Sequence, residues 1–167
     1  MKLIISIILV SFIFIGCSKK SSQDYFNLAE KNISDKNYTD AIKNYDLILK
    51  EFPNSKEAIP TLMKLALLYQ NKRIPNISAD SAMTKSAKYY KQVFDKYPSS
   101  KDAPRALFMS AFINANSLNN FDEAKNIYEL FIKKYPENEL VTSAKEEIKN
   151  LGIPPGEIIK DKTKKSS

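Results

Sequence analysis

The chain has 167 residues, 43% of them aliphatic or aromatic and 27% charged, with a formal net charge of +7. That is one domain's worth of chain with enough apolar material to bury a core, which excludes a compositionally disordered protein. There is no histidine, one cysteine and no glycine between Gly16 and Gly152, which argues against imidazole catalysis, Ser–His triads, disulfides, multi-cysteine zinc sites and phosphate-cradling glycine loops.

Met1-Lys2 is a short basic start, and Leu3 to Gly16 is apolar apart from Ser6 and Ser11. A helix of that length reaches roughly 21 Å, short of the ~30 Å hydrocarbon core, so a secretory signal peptide fits better than a membrane-spanning helix. The run ends Phe14-Ile15-Gly16-Cys17-Ser18, which resembles a bacterial lipobox. The resemblance implies lipidation of Cys17, cleavage before it and a mature protein that begins there. The competing reading is an ordinary signal peptide with an incidental cysteine. Ser18, in place of aspartate, resembles the pattern that sorts lipoproteins to the outer membrane. Residues 1–16 are thus expected to be a leader and 17–23 a lipidated tether.

From Asp24, a plausible helix N-cap, Tyr25, Leu28, Ala29 and Asn32 fall at helical spacing. Ser34 to Asn37 reads as a turn. Tyr38 to Glu51 is predicted as a helix with one apolar stripe through Ala41, Ile42, Tyr45, Ile48 and Leu49, and Pro53 stops it. Asn54 or Ser55 is expected to cap the next helix, which carries Leu62, Leu65, Ala66, Leu68 and Tyr69. Asn71 to Asp80 is the longest internal loop, and a helix from about Ser81 to Tyr97 follows it. Ser99 or Ser100 is expected to cap a helix with Leu107, Phe108, Ala111 and Phe112 on its faces. Asn116 to Asn120 is a turn. Another helix ends at Pro136, and a last one covers roughly Leu140 to Leu151 before Gly152 and Pro154-Pro155. Residues 152–167 read as a basic, flexible tail.

One pattern recurs three times: a small residue, a tyrosine four positions later and a proline eight further on, at Ala41/Tyr45/Pro53, Ser86/Tyr90/Pro98 and Ala124/Tyr128/Pro136. An aromatic residue precedes each proline. Spaced self-similarity of this kind marks stacked repeats. Positions four apart share a helix face, so the small residue admits a close partner helix and the tyrosine fills the space one turn along. A single hairpin leaves apolar surface uncovered, and neighbours have to stack on it.

These residues resemble the tetratricopeptide repeat, whose first helix runs aromatic–x₂–Leu–small–x₂–aromatic and whose second runs small–x₃–aromatic to a proline. Repeat one matches at Tyr25, Leu28, Ala29, Ala41, Tyr45 and Pro53. Repeat two matches at Leu62, Leu65, Ala66, Tyr69, Ser86, Tyr90 and Pro98, with about eight extra residues between its helices. Repeat three matches at Leu107, Ala111, Ala124, Tyr128 and Pro136. The resemblance implies an all-α solenoid of tandem helix-turn-helix units over residues 24–151, about three repeats plus a C-terminal helix.

It also implies a protein-binding role on the concave face, which the first helix of each repeat lines. Carried over residue by residue, that rule points to Phe26, Glu30 and Ile33, to Met63, Leu67, Gln70 and Asn71, and to Arg105, Phe108, Phe112 and Asn116. The five large apolar residues among them suit an extended or helical segment; packing between repeats is the competing reading. The lipobox, the Glu-Phe-Pro-Asn-Ser and Lys-Tyr-Pro-Ser-Ser endings and the proline-started helices together resemble the outer-membrane assembly lipoproteins related to BamD. That resemblance implies a non-catalytic, periplasm-facing scaffold with the barrel-assembly protein as partner and Cys17 as its link to the membrane. The chain is also similar to envelope adaptors of the Tol–Pal, cell-division and secretion kinds. Lysines interleaved with Glu and Asp read as solvated helix faces, as do Asp122/Glu123 and Glu146/Glu147. No nucleic acid, metal, cofactor or small-molecule substrate is expected.

Overall fold

A computed structural model describes residues 19–71, 73–154 and 157. Cys17, the leader before it and most of the basic tail lie outside the described residues. Among the described residues seven helices follow in order: α1 Ser22–Ser34, α2 Tyr38–Glu51, α3 Ala58–Gln70, α4 Ala79–Lys96, α5 Ala103–Asn116, α6 Phe121–Lys134 and α7 Val141–Asn150. Among the described residues there is no strand. Consecutive helices pack as the hairpins α1/α2, α3/α4 and α5/α6, the second helix of each pair also touches the first of the next, and α7 closes on α6. The tandem helix-turn-helix solenoid expected from the repeat is the observed architecture.

The close helix crossings sit where the small residues are. Ala41, Ser86 and Ala124 have no exposed surface. Ser86, the one polar member, donates from Oγ to the Ala66 carbonyl across the hairpin at 2.8 Å, so its hydroxyl is buried but satisfied. Around each crossing the large side chains collect: Tyr45 and Ile48 in the first hairpin, Tyr90 and Val93 in the second, Tyr128 and Phe131 in the third. Burial of each aliphatic or aromatic side chain of this size contributes about 1.5–3 kcal/mol.

The three aromatic–proline junctions repeat the same backbone. Phe52, Tyr97 and Tyr135 end their helices at φ −133°, −135° and −132°, out of the helical region that a following proline disfavours. The N–H of Ser55, Ser100 or Asn138 then donates to the carbonyl of that aromatic, and the N–H of Ala58, Ala103 or Val141 donates to the next carbonyl along, that of Ser55, Ser100 or Asn138. Two linked turns therefore carry the chain into the next helix. For that reason α3 and α5 begin later than their serines suggest: Glu57 and Asp102 precede them in helical conformation with no side-chain cap. The hydroxyls of Ser55 and Ser100 are buried without a partner among the described residues.

The tyrosines at these junctions tie repeat to repeat. Tyr135 Oη donates to the Pro98 carbonyl at 2.9 Å, and Tyr97 Oη donates to the Pro53 carbonyl. Phe52, in the first repeat, packs its ring against Tyr25, with centroids 6.2 Å apart.

Two helix starts also move upstream. α1 begins at Ser22, two residues before Asp24, because Ser21 is the N-cap. Ser21 Oγ accepts from the Asp24 N–H, and Asp24 accepts from the Ser21 N–H at 2.9 Å, a reciprocal capping box. The Ser21 backbone N–H and hydroxyl hold the Asp24 carboxyl below its usual range. Ser22 Oγ donates to the buried Glu57 at 2.9 Å, which pins the start of α1 to the start of α3. α4 begins at Ala79 because Ser78 accepts from the Ser81 N–H.

The far end is closed by α7. Its Val141, Ala144 and Ile148 pack against the α5/α6 core, whereas Thr142, Lys145, Glu146 and Lys149 face solvent. A polar outer face is what a solenoid's terminal helix needs. Among the described residues no helix is long and apolar enough to cross a membrane.

Replacing Ala124 with arginine forces a long charged group into a crossing with no free surface, at a cost of about 3 kcal/mol or more. Lys125→Ala, on the exposed side of the same helix, is expected to stay within about 0.5 kcal/mol of the parent. Urea unfolding of the two variants side by side measures the difference.

Candidate partner-binding face

The first helices of the hairpins, α1, α3 and α5, carry ten of the eleven residues that the repeat pattern assigns to the concave face, and the eleventh, Asn71, lies just past the end of α3. None of the eleven is fully buried. Their surroundings differ.

Between α1 and α3 lies an open cleft of about 300 Å³, with Ile33, Lys64, Leu67, Asn71 and Arg73 around it and Tyr45 and Leu68 behind. Leu67 is the most exposed large apolar side chain described, at 43%. Glu30 stands beside this cleft as a double acceptor, taking the Tyr45 hydroxyl on Oε1 and the Lys64 ammonium on Oε2 at 2.7 Å. Burial first, then the hydrogen bond to Glu30 and its charge, push the Tyr45 phenol well above its usual range, so it is a neutral donor. Phe26 leans on the Tyr45 ring, centroids 5.8 Å apart, and closes the α1 side.

One repeat along, Tyr90 Oη donates to Gln70 Oε1 at 3.1 Å. Burial raises the Tyr90 phenol, and the nearby Arg105 charge partly offsets this. Arg105 itself is exposed on the first turn of α5. Met63 packs into the core between α3, α4 and α5.

At the third level, Phe108 sits edge-on to Tyr128 and Phe131, with centroids 5.4 and 5.9 Å away. Asn116 donates to the Phe112 carbonyl at 3.2 Å and to Glu147 of α7 at 3.4 Å. The Tyr128 phenol is raised by burial and then by the Glu147 charge, and its oxygen has no partner among the described residues. In the first two hairpins the tyrosine of the second helix thus gives its hydroxyl to a side chain of the first helix, Glu30 or Gln70, whereas Tyr128 has no such partner among the described residues.

Three contributors fall outside the set read from the repeat pattern. Tyr45 belongs to the second helix of its hairpin, and only the spacing of stacked helices brings it to the cleft. Glu147 lies on α7, beyond the third repeat. Arg73 lies in the long connection between α3 and α4, whose Ile74 and Ile77 pack against the first core, and it donates to Tyr38 Oη at 3.4 Å. The extra length of that connection was the available signal. Among the described residues no group of acidic, cysteine or histidine side chains gathers at metal-binding spacing.

The tetratricopeptide repeat family model matches residues 105–138, the span of α5 and α6 with their closing turn. No curated protein matches the chain. The chain therefore contains a tetratricopeptide repeat, and α1/α2 and α3/α4 repeat its build. Repeats of this family act as protein-interaction scaffolds.

The surroundings sort the apolar candidates by expected cost of truncation. Phe108→Ala removes a ring held by two aromatic neighbours and is expected to cost about 3 kcal/mol. Leu67→Ala, at a largely solvated position, is expected to cost less than about 1 kcal/mol. Thermal and urea unfolding read both; equal costs would mean that Leu67 is packed rather than presented.

Proposed function

We propose that this chain is a non-catalytic scaffold, anchored through lipid on Cys17 to the outer membrane and facing the periplasm, which holds a segment of a partner protein on its concave face during outer-membrane protein assembly. The observation that carries the scaffold reading is the cleft between α1 and α3, with Leu67 exposed at its rim and backed by a packed, hydrogen-bonded wall. Exposed apolar surface next to polar groups is what protein recognition sites offer. An extended or helical segment fits such a groove.

The anchor reading is supported by the apolar run Leu3–Gly16 followed by Cys17. It is also supported by the shortness of the connection. Residues 18–21 are all that separates Cys17 from the first residue of α1, a reach of at most about 18 Å. Because Ser22 is tied to Glu57, an acyl chain on Cys17 would keep the first two repeats close to the bilayer. Two or more acyl chains make such attachment stable, at about 0.8 kcal/mol per buried CH₂. The assembly role rests on the resemblance of the lipobox and the repeat endings to the lipoproteins related to BamD.

The expected result for Cys17→Ala is an uncleaved precursor or a protein lost from the detergent-extracted membrane fraction. Unchanged size and partitioning would remove the anchor. From native membranes the parent protein is expected to co-purify with the barrel-assembly protein. Recovery with a peptidoglycan, division or secretion component instead would make it an envelope adaptor of another kind.

A further inference from the structure

At the far end of the stack, where α5 and α7 finish and α6 begins, lies an open cleft of about 400 Å³. Asn116, Glu147 and Asn150 give it a polar side, and Phe121 and Ile153 an apolar one. Phe121, 38% exposed, and Ile153, 41% exposed, are two of the three large apolar side chains left open among the described residues. Glu147 has no ion-pair partner among those residues. The chain itself builds the outer wall. Gly152 takes φ +75°, a conformation that favours glycine, and a Cβ there would stand 3.7 Å from the Phe121 ring. The Ile153 N–H then donates to the Asn150 carbonyl at 3.0 Å, and the Glu157 N–H to the Pro154 carbonyl at 2.9 Å. The second bond closes a turn, which keeps Glu157 within about 7 Å of Pro154 on the cleft wall. Ile158-Ile159-Lys160 comes next in the sequence, an aliphatic pair in an otherwise polar, basic stretch.

We propose that this cleft seats the chain's own residues 158–160, which lie outside the described residues: the isoleucine pair covers Phe121 and Ile153, and Lys160 pairs with Glu147. The match is apolar against apolar and ammonium against carboxylate. Reach is no obstacle, because Ile158 directly follows the turn at the rim. An attached segment also needs little affinity of its own, since a short connection holds it at an effective concentration in the millimolar range. The solvated ion pair adds little, so the isoleucines hold the segment and Lys160 sets its register. Asn116 and Glu147 also form the third level of the partner face. The seated segment covers that end, and a partner that reaches it has to displace the chain's own tail. The width of face open to a partner is thereby set from within the chain, which goes beyond the scaffold reading and does not depend on it.

The test uses the full chain in mild detergent and follows trypsin cleavage after Lys160 and Lys162 by mass spectrometry. Cleavage of a segment that opens and closes quickly tracks the fraction of time it is open. Ile153→Asp spoils the apolar seat and leaves the cleaved sequence unchanged. Both bonds are expected to be cut about fivefold to tenfold faster in it than in the parent, as for a segment seated roughly 80–90% of the time. Glu147→Gln is expected to speed both cuts about twofold, the share of one exposed ion pair. If Ile153→Asp loses helix content by circular dichroism, Ile158→Asp/Ile159→Asp, outside the seven helices, gives the same reading after Lys162. Equal rates in the parent and the aspartate variants overturn the assignment and leave the cleft to another occupant, such as a partner's segment. An unchanged rate in Glu147→Gln overturns the pairing with Lys160. Protection that rises with protein concentration also overturns the assignment, because the occupant is then the tail of a second copy. Neither Cys17 nor the α1/α3 cleft enters this measurement, so it can fail while the anchor and scaffold readings stand.

Discussion

The structure depends on three helix crossings that admit no side chain larger than alanine or serine. Where Ala41, Ser86 and Ala124 meet the partner helix there is no free surface, and close approach there lets the tyrosine four residues on fill the space between one first helix and the next. The proline eight residues after the tyrosine ends the helix, and the linked turns beyond it fix the direction of the following one. Stacking of the hairpins, alignment of α1, α3 and α5, and the groove between them all follow from that geometry. The hydrogen bonds from Tyr97 to Pro53 and from Tyr135 to Pro98 fasten one repeat to the next at the outer turns. Each such bond contributes on the order of 1 kcal/mol, so they set the register of a stack that apolar burial holds together.

Much of this was legible in the sequence because it is periodic. The small–tyrosine–proline spacing marks the second helices, and the bounds of α2, Tyr38–Glu51, follow from its apolar stripe and from Pro53. Local capping was harder to read. Ser55 and Ser100 look like N-caps, yet two backbone turns already satisfy the chain there, and their hydroxyls are left without partners among the described residues. Ser21, a less obvious candidate than Asp24, takes the cap of α1 because Asp24 stands three residues on and returns the bond.

The groove was legible in part for a different reason. Repeat spacing tells which residues face inward from the first helices, but not how deeply each is packed. Phe26, Met63 and Phe108 lean on neighbouring cores, whereas Leu67 stands open, and that difference lies in contacts between helices distant in sequence. Arg73 and Glu147 escape a repeat-based reading altogether, since one sits in an insertion and the other beyond the last repeat. Each is a place where this chain departs from a regular array. Such departures are where a common scaffold acquires a partner of its own.

The central claim is that partner protein lies in the groove of α1, α3 and α5. It is tested most directly by placing a photo-crosslinking side chain at Leu67 and, in a second variant, at Lys125 on the exposed side of α6, with irradiation of native membranes. The account predicts a crosslinked partner from position 67 and none from position 125. Crosslinking from position 125 alone would contradict it and move the binding face to the second helices.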